Sequence, residues 1–215
     1  MPTLSPHESF SCYVRKLAVL HRQGVLRAPI LYPVGGVDYF PATYGHTIYL
    51  DHDPVVLPSA YLPCLRKKFP ESPPFHLPDN THLMTHVCED VLSPPHWLSK
   101  VGSAGSLLLK GAFDLLASPP NPFSESAQSA VRSLAERVVA GGTCLLFDGD
   151  IALTDLLLDT GWHRVSFADD VEAVLSSPSG GVIEMVGPDF DYAVGVKSGG
   201  VVHVLKKDGA QHPTR

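Results

Sequence analysis

Short apolar runs alternate with helix-patterned segments through the first three quarters of the chain, and this alternation limits the fold more than any other feature. Phe10, Tyr13, Val14, Leu17 and Leu20 recur at helical spacing, and Gly24 offers a stop, which predicts an amphipathic first helix. Strands are expected near Pro29–Tyr32 and Thr47–Leu50, and again within "HLMTHVCEDVL", which closes on an acidic turn. "GAFDLLASPP" reads as a buried fourth strand stopped by two prolines. Ser124 caps a helix whose inner face is Ala127, Ala130, Val131, Leu134 and Val138, with Gly141 and Gly142 as its stop and "TCLLFD" as a fifth strand. Asp150 caps a further helix, and the tail reads as strands separated by glycine turns. The expected fold is therefore α/β and Rossmann-like. A mostly parallel sheet carries helices on both faces and a C-terminal antiparallel hairpin at one edge.

The 215 residues suit one domain spanning 1–215, with 1–28 as an N-terminal helical extension. At 44% hydrophobic and 18% charged, the composition provides a core and argues against disorder. The net charge of −6 gives no overall basic field to recruit nucleic acid, and Arg66, Lys67 and Lys68 form only a short basic run. No apolar run approaches the roughly 20 residues of a membrane-spanning helix. Cys12, Cys64, Cys88 and Cys144 form no CxxC pair, so reduced thiols in a cytoplasmic protein are expected.

The segment "ILYPVGGVDYFPATYGHTIYLDHDP" carries the candidate site: a glycine pair after one strand and two acids, Asp51 and Asp53, after the next. In this order of motifs the chain resembles the class I S-adenosylmethionine-dependent methyltransferases. The resemblance implies that Gly35, Gly36 and Asp38 form the loop beneath the cofactor and that Asp51 holds the ribose hydroxyls, with Asp53 as the alternative. It also implies that Glu89 and Asp90 of "CEDVL" lie beside the adenine, and that Ser118, at the end of "FDLLASPP", stands at the reaction centre. S-adenosylmethionine is then the cofactor, and the methyl acceptor is a small molecule ahead of an amino group. Val34 occupies the family's first glycine position, and Pro41 disfavours a full crossover helix. In "SPPNPF" the serine and both prolines of an amino-methyltransferase turn are present, but Asn121 holds the aromatic position. A rigid turn ahead of Ser124 is the plainer reading of that segment.

Other constellations are weaker. His82, His86, Cys88 and His96 lack the glutamate of HExxH, so no metal is expected. The glycine loop is not GxGxxG, which disfavours a nicotinamide enzyme. A base for the acceptor could come from Asp148 or His46. The alternative to an enzyme is a methyltransferase-like module without catalysis, acting in binding or assembly.

Overall fold

The structure is a computed structural model that describes residues 6–35, 38, 40–52, 84–110, 124–147, 151–177, 182–185, 194–197 and 201–209. Helix α1, Pro6–Arg22, buries Tyr13, Leu17 and Leu20 along one stripe. It ends at Gly24, whose φ of +68° suits a residue without a β-carbon. There the N–H of Gly24 bonds to His21 O and that of Val25 to Leu20 O, the paired bonds of a Schellman cap.

Strands β1 (Ile30–Pro33), β2 (Thr47–Asp51), β3 (Met84–Cys88), β4 (Ala104–Lys110), β5 (Val138–Phe147), β6 (Trp162–Arg164) and β9 (Val202–Lys207) form a seven-stranded sheet in the order β3-β2-β1-β4-β5-β9-β6. β3, β2, β1, β4 and β5 run parallel, whereas β9 lies antiparallel to both β5 and β6. Strands β7 (Val182–Met185) and β8 (Val194–Lys197) pair with each other as a separate antiparallel hairpin. The crossover from β1 to β2 is a 3-10 helix, Phe40–Tyr44, with Pro41 and Ala42 buried. This explains how so short a segment containing a proline can join two parallel strands.

Side chains of the central strands alternate between two cores. Leu31, Leu50, Leu107 and Leu146 face α2 (Pro94–Trp97), α3 (Glu125–Arg137) and α4 (Ile151–Leu158), meeting Trp97, Val131, Leu134 and Leu157. Ile30, Tyr32, Leu108 and Leu145 face α1 and α5 (Asp169–Leu175), meeting Tyr13, Leu17 and Leu175. At about 1.5–3 kcal/mol for each large apolar side chain, these two layers dominate the stabilisation of the sheet. Trp97 is fully buried, and its indole N–H donates to Val91 O at 3.0 Å.

The structure corrects three expectations. The fourth strand is "AGSLLLK", Ala104–Lys110; residues 111–123, which include the whole of "GAFDLLASPP" with Ser118, lie outside the described residues. All seven residues of β4 are buried, including Ser106, which shares a hydrogen bond with Thr143 at 2.9 Å, so polar side chains there are satisfied internally. Second, α3 is capped by Ser124 Oγ, which accepts from Ala127 N, but it ends at Arg137 rather than at the glycine pair. β5 starts at once and carries Gly141 and Gly142 inside it. The register against β4 jumps from Ala104↔Val138 to Ser106↔Thr143, a bulge that Gly141 enters with φ +74°. Third, Asp169–Leu175 is a helix within a tail expected to be all strand.

Candidate functional site

Chain order reverses between β1 and β4: from β1 the chain builds outward through β2 and β3, and from β4 it builds the other way through β5. Ligands of open parallel sheets bind outside the carboxyl ends of the strands at such a point. Here those ends are Pro33, Asp51 and Lys110.

The loop after β1 is fastened to its neighbour, because the N–H of Val34 donates to Leu50 O at 2.8 Å. Val34 adopts φ +51°, a backbone conformation in which a β-branched residue is strained. Gly35 follows, and a β-carbon built on it would stand 3.0 Å from Cδ1 of both Tyr32 and Tyr49. Its missing side chain therefore lets the loop lie flat on two aromatic rings. Gly35 and Asp51 thus share one edge on adjacent strands.

Asp38, only 2% exposed, faces inward. Its Oδ2 accepts from Tyr13 Oη at 2.5 Å, from Tyr32 Oη at 2.9 Å and from Lys110 Nζ, while its Oδ1 accepts from Phe40 N at 3.3 Å. The Lys110 ammonium also stands 3.8 Å from the centroid of the Tyr13 ring. Burial first, and then the Asp38 charge, push both the Tyr13 and Tyr32 hydroxyls well above the usual tyrosine range. A buried four-residue network, unforeseen in the sequence, thus fills the inner side of the switch point. Its single advance signal was Lys110 at the end of a run of leucines.

Asp51 closes β2 with its side chain 9% exposed and His52 Nδ1 3.4 Å away. Its carbonyl accepts from Glu89 N at 3.1 Å, which draws the turn after β3 alongside. In that turn Glu89 is ion-paired with Lys100. Asp90 caps the turn: Oδ1 accepts from Leu92 N at 2.9 Å and Oδ2 from Ser93 Oγ at 3.4 Å. The structure therefore brings Gly35, Asp38, Asp51, Glu89 and Asp90 to one edge of the sheet. Gly36, Ser118, Asp53 and Asp148 lie outside the described residues. His46 is at the opposite edge, before β2, where its Nε2 meets Thr85 Oγ1 at 2.8 Å, so it stands away from any acceptor held at the carboxyl ends. His86 stacks on Tyr49 with the ring centroids 5.3 Å apart. Among the described residues no three His, Cys, Asp or Glu side chains are grouped as metal ligands.

The residues at this edge suit a nucleoside-bearing cofactor in part. Asp51 supplies a largely desolvated carboxylate, an acceptor that would strengthen hydrogen bonds from a pair of hydroxyls. The carboxylate of Asp38 is already held by three side chains.

The fold is α/β and Rossmann-like, a mostly parallel seven-stranded sheet with an antiparallel C-terminal part. Among solved structures, the chain is similar to the one described as conversion of a disulfide bond into a thioacetal group during echinomycin biosynthesis. The TM-score is 0.50 at 12% identity, over 91% of this chain and 82% of that one. It also matches the N-methyltransferase NodS from Bradyrhizobium japonicum WM9 (TM-score 0.49, 9% identity, 91% of this chain and 94% of that one). A third match is magnesium protoporphyrin IX methyltransferase, ChlM, from Synechocystis PCC 6803 with bound SAM (TM-score 0.49, 11% identity, 92% and 79%). At 12% identity the first of these likenesses is one of fold alone. No family model matches the chain, and no curated protein matches it in sequence.

Proposed function

We propose that the protein binds S-adenosylmethionine at the carboxyl ends of β1 and β2 and transfers its methyl group to a small-molecule acceptor in the cytoplasm. The observation that carries this reading is Asp51, a buried carboxylate at the end of β2, on the strand beside the Gly35 loop. Asp51 would accept from the ribose hydroxyls, and the turn at Glu89 and Asp90 would border the base. Bound there, the cofactor supplies a methyl group already activated by its sulfonium. What the chain must add is alignment of the acceptor and exclusion of water. Ser118, on the segment that follows β4, is the acceptor-side residue of this proposal.

Calorimetric titration with S-adenosylhomocysteine and, separately, with NAD tests the reading. Binding of the first alone is expected. Asp51→Ala should weaken it by about 1.5–3 kcal/mol, the range for hydrogen bonds to a charged group. A neutral Asp51→Ala, or preference for NAD, would overturn it.

The second reading is a methyltransferase-like module without catalysis that serves in binding or assembly. It is favoured by the inner side of the switch point, which Asp38, Lys110, Tyr13 and Tyr32 already fill. A folded protein that ignores S-adenosylhomocysteine would support it.

A further inference from the structure

We propose that Lys110 is a positioning residue: acting through Asp38, it holds the loop after β1 in its cofactor-receiving conformation and couples that loop to the end of β4. This rests on the methyl-transfer reading.

Three separate segments meet at one carboxylate oxygen. Tyr13 comes from α1, Tyr32 from β1 and Lys110 from the last position of β4, and all three donate to Asp38 Oδ2. The other oxygen accepts from Phe40 N, and the N–H of Asp38 donates to Gly35 O at 3.0 Å. Asp38 therefore pins the loop on both sides: backward to the glycine that lies on Tyr32 and Tyr49, forward to the start of the 3-10 helix. With four donors in place its carboxylate cannot rotate without breaking several bonds at once.

Stability alone is a poor account of such a pair. Lys110 and Asp38 have side chains 3% and 2% exposed, and desolvating two charges offsets most of their attraction. What we assign to this pair instead is direction, since either partner left alone is an unpaired buried charge. The direction fixed here lies between the two strands that flank the switch point. On the methyl-transfer reading, the loop after β1 carries the cofactor and the segment after β4 carries the acceptor. The pair is a polar link that joins the loop to the end of β4.

The test compares wild type, Lys110→Met and the double variant Asp38→Asn with Lys110→Met. Thermal midpoint and near-ultraviolet circular dichroism report folding, and S-adenosylhomocysteine affinity by calorimetry reports positioning. Lys110→Met is expected to lower the midpoint. The double variant, which leaves no unpaired charge, should recover much of that loss. Its affinity should nevertheless stay about ten- to a hundredfold below wild type, the loss expected of one hydrogen bond to a charged group. Recovery of both midpoint and affinity would reduce the pair to a structural element and overturn the proposal. Should Lys110→Met fail to fold, the double variant decides alone. Wild type that does not bind S-adenosylhomocysteine defeats the methyl-transfer reading itself, and this inference with it.

Discussion

Tyr13 donates its hydroxyl to Asp38 Oδ2 at 2.5 Å, joining the first helix to the loop after β1 across 25 residues of sequence. The bond makes α1 part of the switch point, in addition to its apolar packing through Leu17 and Leu20. Tyr13→Phe keeps the ring beneath Lys110 and removes only the donor. It should destabilise the protein by about 1.5–3 kcal/mol, the range for a hydrogen bond to a charged acceptor, as read from urea unfolding. A change within about 0.5 kcal/mol would place the bond among those replaced without cost.

The same network sets an alkaline limit. Tyr13 and Tyr32 keep their protons in the folded state well above the value of about 10 that they take when unfolded. Between those values the unfolded chain has released protons that the folded chain still holds. The stability they contribute is therefore complete below about pH 10 and is lost as pH rises toward the folded values. Spectrophotometric titration should show these two of the seven tyrosines ionising only with unfolding, and Tyr13→Phe with Tyr32→Phe should remove that component.

The bulge in β5 predicts a contrast between glycines. A β-carbon on Gly142 would stand 2.8 Å from Gly105 O, 2.9 Å from Val139 O and 2.5 Å from Val138 Cγ1, and two of these atoms are backbone. Gly142→Ala should therefore cost about 1–3 kcal/mol, as overpacking does. Nothing lies within 4 Å of the same position on Gly102, so Gly102→Ala should stay within about 0.5 kcal/mol of wild type. Equal effects in thermal melting would argue against the observed register of β4 and β5.

Two cysteines should differ in reactivity. Cys88 is exposed on edge strand β3, whereas Cys144 is buried in β5 and burial pushes its thiol strongly up. Brief maleimide treatment followed by peptide mapping should find Cys88 modified in the native protein and Cys144 only in denaturant, since the thiolate is the reactive form. Early labelling of Cys144 would mean that the core between β4 and β5 opens readily.

The parallel strands β1 and β2 were legible because their side chains are buried on both faces, so they read as unbroken apolar runs. β4 was not. Gly105 and Ser106 interrupt its run, and Lys110 looks like a solvated end. Its charge is answered by Asp38, 72 residues away, a partner that no local pattern discloses. Gly141 and Gly142 show the converse problem. A glycine pair after a helix is a sound stop signal, but here the need for glycine comes from Gly105 O on the neighbouring strand. Of the candidate site, the edge that holds Gly35 and Asp51 could be read from strand order. The inward turn of Asp38 could not, because it depends on Tyr13 and Lys110 arriving from two distant segments.

The placement of β9 between β5 and β6 has a consequence for how the protein is made. Among the described residues β6 hydrogen-bonds to the sheet only through β9, and β5 has β9 as its outer neighbour. During vectorial synthesis both wait for Val202–Lys207. Until that strand leaves the ribosome, "TCLLF" of β5 presents an unpaired apolar edge of the kind that templates aggregation. The nascent chain thus passes through an interval in which its sheet is open on one side, and a stalled ribosome in the interval between residues 165 and 201 would hold it there.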